Sequence, residues 1–393
     1  MPVIPRILSE KIKSNAASYP VVAIVGPRQS GKTTLVKECF PQRLYMSLED
    51  LDIREFAEQD PRGFLNQMPD GGIIDEIQRV PHLLSYIQTI VDQKQKPGMF
   101  ILTSSNQFVL VKKVSQSLAG RISLLRLMPF TISELTGTSF ENLDLEEFIH
   151  RGMYPRIYDQ NLNPTEWYLN YIDTYLERDL KDFVQVMDLS LFRRFLTIIA
   201  SNCARICNRS SISNALGISH NTVQAWLSAL EMSYITFMLQ PYHRNYKKRV
   251  VKTPKLYFYD TGLVCALLRI RQARHLKDHI ITGQLFENMV VSELHKESMH
   301  RGMVPDFYFW KDHTGHEVDC LYDNGRHHFP IEIKLSQTIH KDFFKGLKYF
   351  TAISNNDPSR AAIIYGGTQI QKRFDMNVFG WRDISQLAGD ILS

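Results

Sequence analysis

Short apolar segments alternate with amphipathic segments over the first third of the chain. Residues 21–25 consist only of Val, Ala and Ile, and further strand-like runs follow at residues 43–50, around Ile73 and Ile74, and at residues 99–107. A short apolar run bounded by turn residues is typical of a strand buried in a parallel sheet. Alternation of such strands with helical segments predicts an α/β fold for this region.

Helical periodicity dominates the middle of the chain. Residues 161–204 carry apolar and aromatic residues at helical spacing, which predicts an all-helical region. In residues 210–231, Gly217 separates two further helical patterns, and two helices joined by a tight turn are typical of a helix-turn-helix. A hairpin predicted over residues 233–252 would complete a winged helix. Its second helix would present the polar residues His220, Asn221, Thr222 and Gln224.

Strand patterns return in the last third of the chain, together with charged residues. Glu287 lies in a helical segment, Asp319 lies in a predicted strand, and the next strand contains the sequence PIEIK. Because side chains alternate along a strand, Glu332 and Lys334 face the same side. This order predicts a second α/β domain in which acidic residues come from a helix and two strands.

The loop after the first strand has the spacing G-x-x-x-x-G-K-T, which is typical of a phosphate-binding loop when a strand precedes it and a helix follows. Backbone N–H groups at the helix N-terminus would donate to phosphate oxygens. Lys32 would bring a positive charge to the β- and γ-phosphates, and the Thr33 hydroxyl would ligate Mg²⁺. We therefore expect ATP and Mg²⁺ to bind the loop residues Gly26, Pro27, Arg28, Gln29, Ser30, Gly31, Lys32, Thr33 and Thr34.

Polar residues follow two other predicted strands of the same region. Asp75 ends an apolar strand, the position of a metal-coordinating carboxylate in phosphate-loop enzymes. Glu76, next to it, is the predicted general base that deprotonates the attacking water. After the strand at residues 99–107, either Ser105 or Asn106 would reach the γ-phosphate or its water, although ordinary loop polarity explains these residues nearly as well.

Composition is that of an ordinary globular protein, and its basic charge is concentrated in one segment. The chain has 393 residues, 44% hydrophobic and 22% charged, and its net charge is +5. Residues 205–255 contain eight basic residues and one acid, a local surplus that indicates nucleic-acid binding. No apolar run is long enough for a membrane span or a signal peptide, and the five cysteines are scattered. These features predict a cytoplasmic protein of two or three domains.

Nine motifs carry a resemblance that extends over nearly the whole chain. They are GPRQSGKTT, IIDEIQRVP, LTSSNQF, SLAGRISLLRLMPFTISEL, HRGMYPRIY, YLERDL, KLYFYDTGL, GQLFENMVVSEL and IEIK. With them the chain resembles AAA+ ATPases, and specifically a prokaryotic family of ATP-binding proteins that join an AAA+-type module to a conserved C-terminal domain of unknown function. Ser104 departs from this pattern, since relatives usually have glycine there, and this leaves the sensing residue open.

The resemblance also implies a role for one arginine and an arrangement of domains. Arg121 would sense or stabilise charge on the transferring phosphoryl group, in cis or from a neighbouring subunit, although a surface ion pair explains it equally well. The expected organisation is an AAA+-type core at residues 1–137, a helical lid at 138–204, a winged helix-turn-helix at 205–256 and a nuclease-like domain at 257–393.

The C-terminal pattern resembles the PD-(D/E)xK nuclease fold, as in archaeal junction resolvases. That resemblance implies an α/β domain of the restriction-endonuclease type, in which Glu287, Asp319 and Glu332 hold Mg²⁺. Asp319, Glu332 and Lys334 would then form the catalytic set, with the lysine positioning water or stabilising the phosphorane. A fold does not establish an activity, so a structural or docking role stays open.

Two hypotheses follow from these patterns. One is a Mg²⁺-dependent ATPase that acts on DNA through the winged helix and the nuclease-like domain. The alternative is an ATP-driven switch whose nuclease-like domain is inert and whose state a protein partner reads. Assembly into a homo-oligomer is left open by the sequence, and no membrane partner is expected.

Overall fold

The structure is a computed structural model and describes residues 3–105, 118–176, 188–242 and 252–392. The chain divides into two compact units. The first unit comprises Met1–Phe130, Met232–Tyr234 and Met299–Met303. The second comprises Thr131–Glu231, Ile235–Ser298 and Val304–Ser393.

A parallel sheet forms the centre of the first unit, as the apolar runs predict. In the described residues it has five strands in the order β2-β3-β4-β1-β5. β1, β3 and β4 are buried along their whole length, which explains their unbroken apolar sequences. The strands are β1 Val21–Val25, β2 Tyr45–Ser47, β3 Gly72–Asp75, β4 Phe100–Ser104 and β5 Ile122–Arg126.

Two of the described helices of this unit begin at an aspartate that caps the helix. The Asp50 side chain accepts from the backbone N–H groups of Asp52 and Ile53, and Asp60 caps the next helix, which starts at a proline. A single 3-10 turn, Ile77–Arg79, follows β3. The helices are α1 Leu8–Ala16, α2 Lys32–Cys39, α3 Leu51–Gln59, α4 Pro61–Asn66 and α5 Leu83–Lys94.

The second unit begins with helices, where the sequence predicts a helical region. Asp144 and Glu147 form a reciprocal capping box at the first of them. Gly152 has a φ of 64°, and a Cβ there would lie 2.0 Å from the Tyr168 hydroxyl oxygen, so this turn requires glycine. The elements are a 3-10 turn Ser133–Leu135, α6 Leu145–Arg151, α7 Pro155–Asp159, α8 Pro164–Tyr171, a π-turn Ile172–Leu176 and α9 Leu189–Ser201.

Two helices joined at Gly217 follow, as the periodicity predicts, and short strands accompany them. Gly217 takes the left-handed conformation between α10 Arg209–Leu216 and α11 His220–Met232. The strands β6 Arg205–Ile206 and β7 Thr236–Pro241 both pair antiparallel with β8 Lys255–Phe258. Arg244, Lys247, Lys248 and Arg249 of the predicted wing lie outside the described residues.

A large mixed sheet continues from these strands into the C-terminal region. In the described chain its nine strands have the order β13-β14-β12-β11-β10-β9-β7-β8-β6. Since β7 pairs with both β8 and β9, the sheet runs continuously past residue 256, and the expected domain boundary there stays a prediction. The added strands are β9 Phe307–Lys311, β10 Glu317–Asp323, β11 His328–Lys334, β12 Ala362–Tyr365, β13 Gln371–Arg373 and β14 Met376–Gly380.

Four α-helices belong to this C-terminal part in the described residues. One of them, α13, is mostly buried, and the polar side chains of Asn288, Glu293 and Lys296 are buried along it. The helices are α12 Thr261–Leu267, α13 Thr282–His300, α14 Lys345–Ser354 and α15 Ile384–Leu392, and 3-10 turns lie at Ala273–Leu276, Lys341–Phe344, Pro358–Arg360 and Trp381–Asp383. Within the described residues, none of the helices combines the length and the apolar character of a membrane span.

Candidate functional site

The phosphate-binding loop connects β1 to α2, in the strand–loop–helix order that the motif requires. Gly26 cannot be replaced without a clash, because a Cβ there would lie 2.0 Å from the Leu127 carbonyl oxygen. Gln29 and Gly31 take left-handed backbone conformations with φ of 65° and 92°. The loop therefore curls back over the end of β1 and places the N-terminus of α2 beside it.

Polar groups of the loop point to an anionic ligand. The buried Ser30 hydroxyl has no hydrogen-bond partner. Lys32 is buried, and its Nζ donates to the carbonyl oxygens of Gly26 at 3.1 Å and Pro27 at 2.9 Å. Burial lowers the pKa of Lys32, and the carboxylates of Glu76 and Asp75 offset part of this effect. A phosphate would supply the acceptor oxygens that these donors need.

Arg6 stabilises the loop from outside. Its guanidinium donates to the Ser30 carbonyl at 2.8 Å and to the Met128 carbonyl at 2.6 Å, and it lies 4.8 Å from the centre of the Phe130 ring. The side chain is buried, so both hydrogen bonds are shielded from water. One residue near the N-terminus thus connects the loop to the segment after β5.

Asp75 lies at the end of β3 and is surrounded by neutral donors. The Thr33 hydroxyl is 3.1 Å from both carboxylate oxygens, and the Tyr45 hydroxyl donates at 2.8 Å. The Thr103 hydroxyl donates as well. Hydroxyl and carboxylate oxygens are the ligands that Mg²⁺ prefers, so Thr33 and Asp75 fit the Mg²⁺ role predicted for them.

Glu76 follows directly and is held by two side chains. Ser105 Oγ donates to Glu76 Oε2 at 2.8 Å, and Gln78 Nε2 donates to the same oxygen. Its backbone has a φ of 56°, and its N–H donates to Thr103 Oγ1 at 3.1 Å. Burial alone would raise the pKa of Glu76, but the charge of Lys32 and these hydrogen bonds outweigh it and keep the pKa low. The carboxylate is therefore ionised at neutral pH, as a general base must be.

Sequence patterns predicted some of these site residues but not all of them. Ser105 contacts Glu76, while Asn106, the alternative, lies outside the described residues. Thr103 and Tyr45 were missed because a hydroxyl within a strand pattern carries no signal of its own. Gln78 was visible in the motif IIDEIQ, but nothing in the sequence shows where its amide points.

Arg121 lies away from the loop of its own chain. β5 runs parallel to β1 and pairs Val25 with Arg126, whereas the Arg121 carbonyl accepts from the N–H of Val21, at the start of β1. The Arg121 side chain forms an exposed ion pair with Asp92. The geometry thus does not support the expected role in cis, and a role from a neighbouring copy stays a prediction.

The four C-terminal residues that the sequence singles out come together in the second unit. Lys334 Nζ lies 2.6 Å from Glu332 Oε1 and 3.3 Å from Asp319 Oδ2. Asp319 Oδ2 also accepts from the N–H of Ile333 at 2.8 Å. Glu287 extends from α13, and its Oε1 accepts from the Tyr257 hydroxyl at 2.6 Å. Burial raises the pKa of Glu287 and that of Glu332, the latter to about 8 with a contribution from Asp319.

Lys255 also belongs to this cluster. Its inclusion in the basic segment that was expected to bind nucleic acid is therefore corrected. The sequence count included it in the basic segment at residues 205–255, but its side chain is only 6% exposed. Its Nζ lies 2.9 Å from Glu287 Oε1 and 2.7 Å from Glu317 Oε1, and Lys311 Nζ lies 2.6 Å from Glu317 Oε2. Burial would lower the pKa of Lys255, but these carboxylates and that of Asp319 outweigh it and raise it. Its charge is compensated inside the protein and does not face a partner.

These contacts do not fit the metal site that the nuclease resemblance implies. Glu287, Glu317, Asp319 and Glu332 each have a lysine ammonium group within 3.3 Å. A divalent cation would have to displace the ammonium groups of Lys255 and Lys334 to reach Glu287, Asp319 and Glu332. Glu332 Oε2 is buried without a hydrogen-bond partner, but one oxygen is too few for Mg²⁺. In the part of the chain that the structure describes, no three His, Cys, Asp or Glu side chains are grouped as metal ligands.

Known proteins match the chain in three consecutive regions. Residues 18–136 match the family described as AAA domain. Residues 142–274 and 282–384 match two domains of unknown function, DUF8612 and DUF4143. An uncharacterized protein of Mycobacterium tuberculosis is 28% identical over 354 residues, which covers 88% of this chain and 77% of that protein. Another, of Haemophilus influenzae, is 22% identical and covers 62% of this chain and 68% of that protein.

Solved structures overlap the chain more loosely. A Walker-type ATPase of Pyrococcus abyssi is 16% identical, with a TM-score of 0.46, and covers 66% of this chain and 94% of its own. AMPPCP-bound DnaA of Aquifex aeolicus is 16% identical, with a TM-score of 0.31, over 57% of this chain and 86% of its own. Scores this low describe partial superposition, so the functions of these two proteins do not transfer to this chain. The AAA domain match contains the parallel sheet and the phosphate-binding loop, so residues 18–136 resemble an AAA domain in both sequence and sheet.

Proposed function

We propose that this protein binds ATP with Mg²⁺ and hydrolyses it. The observation that supports this most directly is the convergence of Thr33, Asp75 and Glu76 beside the loop that contains Lys32. β1, β3 and β4 are parallel neighbours, so their carboxyl ends bring the loop, the acidic pair and Ser105 to one edge of the sheet. A small-molecule kinase would not need a buried, ionised glutamate next to the metal-binding aspartate.

In the proposed reaction, Glu76 takes a proton from a water molecule as the water oxygen forms a bond to the γ-phosphorus. The bond from the γ-phosphorus to the bridging oxygen breaks, and that oxygen leaves with ADP, so the products are ADP and inorganic phosphate. Lys32 stabilises the negative charge of the phosphate oxygens during this step. Mg²⁺ held by Thr33 and Asp75 would supply further charge neutralisation at the phosphates.

Two substitutions test this proposal. Lys32→Ala removes the phosphate-facing charge, and ATP binding should be largely lost. Glu76→Gln keeps the shape of the side chain but deletes the base, so ATP should still bind while hydrolysis falls by about 10²- to 10⁴-fold. Binding is measured with a fluorescent ATP analogue and hydrolysis by phosphate release. Equal hydrolysis rates in the wild type and Glu76→Gln would sink the role given to Glu76.

A second candidate function is DNA binding by the region from β6 to β8. The helix pair α10 and α11 and the antiparallel pairing of β6 and β7 with β8 support the winged helix that we propose for this region. Arg209, His220 and Lys252 line an open depression between α10 and the start of β8. Phosphate contacts of this kind give an affinity that falls steeply with salt. Replacing Lys247, Lys248 and Arg249 together should flatten that dependence, and an unchanged salt slope would leave the region as a scaffold.

For the C-terminal cluster the lysine contacts favour the alternative of an inert nuclease-like domain. The order of the elements α13, β9, β10, β11, α14 and β12 supports the nuclease-like fold that we propose for this region. However, Lys255 stands between two carboxylates where catalysis would need room for a metal ion. We therefore favour an ATP-driven switch that binds DNA without cutting it. Mg²⁺-dependent nicking of plasmid DNA by the wild type, lost in Asp319→Asn, would refute this choice.

The remaining parts of the proposal concern the cellular compartment, a protein partner and assembly into a homo-oligomer. All five cysteines are free thiols, and four of them are buried, which suits the reducing cytoplasm that we propose for this protein. A protein partner that reads the nucleotide state belongs to the switch hypothesis. In a homo-oligomer, Arg121 of a neighbouring copy would reach the nucleotide, and Arg121→Ala would then lower hydrolysis only under conditions in which copies associate.

A further inference from the structure

Gln78 lies next to the general base and has an unsatisfied polar atom. It is the middle residue of the 3-10 turn Ile77–Arg79 that follows Glu76. Its Nε2 donates to Glu76 Oε2 and to Ser105 Oγ, the latter at 3.0 Å. Its Oε1 is buried and accepts no hydrogen bond. A buried amide oxygen without a donor costs free energy, so a ligand or a water molecule is expected to complete it.

The orientation of the amide follows from its neighbours. A carboxylate oxygen accepts hydrogen bonds, and Glu76 Oε2 already accepts from Ser105 Oγ at 2.8 Å. Because the Ser105 hydroxyl proton is used in that bond, Ser105 Oγ can only accept from Gln78. Turning the amide over would place its oxygen against two acceptors. The nitrogen therefore donates to the base, and the oxygen is left to accept from another donor.

We propose that Gln78 orients the attacking water, which deepens the proposed hydrolysis and rests on it. One hydrogen of the water is directed to the Glu76 carboxylate, which takes it as a proton, and the other is donated to Gln78 Oε1. The water oxygen then presents its lone pair to the γ-phosphorus, and the bond to the bridging oxygen breaks with its electron pair leaving on ADP. Two acceptors fix the water in two directions, which one carboxylate alone does not do.

The turn geometry supports this assignment. Glu76 takes a left-handed backbone conformation, φ 56°, that a non-glycine residue adopts only at a cost. That conformation starts the 3-10 turn, and the turn brings the Gln78 side chain back against the carboxylate two residues before it. Strain at a non-glycine residue beside a catalytic group is typical of a site whose geometry is maintained for function.

The test compares Gln78→Leu and Gln78→Glu with a matched control. Gln59 is an exposed glutamine on α3 whose Nε2 donates to the Glu55 carboxylate at 2.8 Å, so Gln59→Leu removes a similar pair away from the site. Gln78→Leu should lower the single-turnover hydrolysis rate by about 10- to 100-fold and change the ATP dissociation constant less than threefold. Gln59→Leu should leave both values unchanged.

Gln78→Glu gives a readout that a merely structural role would not produce. It places a second carboxylate beside Glu76 and removes the donated hydrogen bond, so the pKa of Glu76 should rise. The acidic limb of the pH–rate profile should move to higher pH in this variant and stay in place in Gln59→Leu. A wild-type profile and rate in both Gln78 variants would overturn the assignment.

The outcomes separate this inference from the proposed function. If the wild type hydrolyses ATP, Glu76→Gln does not, and Gln78→Leu is fully active, then only the role of Gln78 is wrong. If Gln78→Leu loses ATP binding in parallel with hydrolysis, Gln78 supports the loop and does not orient water. If the wild type binds ATP without hydrolysing it, both the proposed function and this inference fall.

Discussion

Two groups of buried or half-buried carboxylates in this protein differ in how their charge is compensated. Asp75 and Glu76 accept hydrogen bonds from neutral hydroxyl and amide groups. Each of the other four carboxylates contacts the ammonium group of a lysine, in addition to neutral donors at two of them: Glu287, Glu317, Asp319 and Glu332. Neutral donors leave negative charge that a metal ion and a nucleotide can use, whereas fixed ammonium groups cancel it.

The difference shows that the order of acidic residues along the sequence does not by itself predict a metal site. The positive charges that lie beside those residues in the fold must be known as well. Both groups come from motifs that resemble metal-dependent sites. In the first, the ammonium group of Lys32 donates to backbone carbonyls of the loop, and among the described residues no lysine ion pair with Asp75 or Glu76 is present. In the second, Lys255 lies in a strand and precedes Glu287 by 32 positions. No local sequence pattern therefore indicates that the two residues are in contact.

The largest effect should come from removing a lysine of the second group. Lys255→Ala leaves the half-buried Glu287 without its cation and leaves Glu317 with Lys311 alone, and the free energy of unfolding should fall by about 3–5 kcal/mol. Chemical denaturation measures this. Lys345→Ala, which removes an exposed pair with Asp342, should have no measurable effect. The triple variant Lys255→Met, Glu287→Gln, Glu317→Gln should recover much of the loss, and a loss of stability equal to that of Lys255→Ala would argue against charge compensation.

Metal binding gives the next largest contrast. Without nucleotide, the wild-type protein should show no Mn²⁺ binding at the C-terminal cluster by electron paramagnetic resonance. Lys255→Met removes the ammonium group from Glu287 and one of the two from Glu317. It should create Mn²⁺ binding, which Asp319→Asn should weaken again in that background. Mn²⁺ bound by the wild type and lost in Asp319→Asn would show that the lysines do not keep metal out.

His295, on the same helix as Glu287, extends the comparison to a buried base whose pKa is shifted by burial alone. His295 is buried between the Phe237 and Phe307 rings, neither ring nitrogen has a partner, and burial lowers its pKa to about 3. The unfolded state binds a proton below about pH 6.5 while the folded state does not, so stability falls as the pH is lowered from 6.5 towards 3. His295→Phe should remove up to about 1.4 kcal/mol per pH unit of this slope. Unfolding at pH 7, 6 and 5 measures it, and parallel curves for variant and wild type would contradict it.

The smallest effect is expected from a neutral donor of the first group. Tyr45→Phe deletes one hydrogen bond to Asp75, which keeps its bonds from Thr33 and Thr103. The expected loss of stability is about 1 kcal/mol, with ATP hydrolysis retained. A loss as large as that of Lys255→Ala would mean that neutral and charged donors are equivalent here.

Local sequence patterns predicted the parts of the fold that depend on neighbouring residues. The strands of the parallel sheet, the loop and the helices at Gly217 each follow from apolar spacing and turn residues within a short window. The convergence of Thr33 and Asp75 was predictable because parallel strands end at the same edge. Gln78 stands in the same motif as Glu76, but the direction of its amide depends on Ser105, 27 positions further along.

Long-range pairing explains the predictions that the structure does not support. The position of Arg121 depends on the register between β1 and β5, which the sequence does not show, and this register places Arg126 at the loop end. Lys255 was counted with a basic segment because charge counts ignore burial. Its true environment is set by pairing of β8 with β7 and by the approach of α13. Where the local sequence pattern gives no information, tertiary contacts determine the environment and the role of a charged residue.

The contacts of Arg6 have a practical consequence for handling the protein. Because its guanidinium holds both the Ser30 carbonyl and the segment after β5, the first few residues contribute to the shape of the phosphate-binding loop although they lie outside the motif. A shortened form that starts at α1 would keep every residue of the motif and still present a loosened loop. Low nucleotide affinity in such a form would report on the truncation and not on the protein.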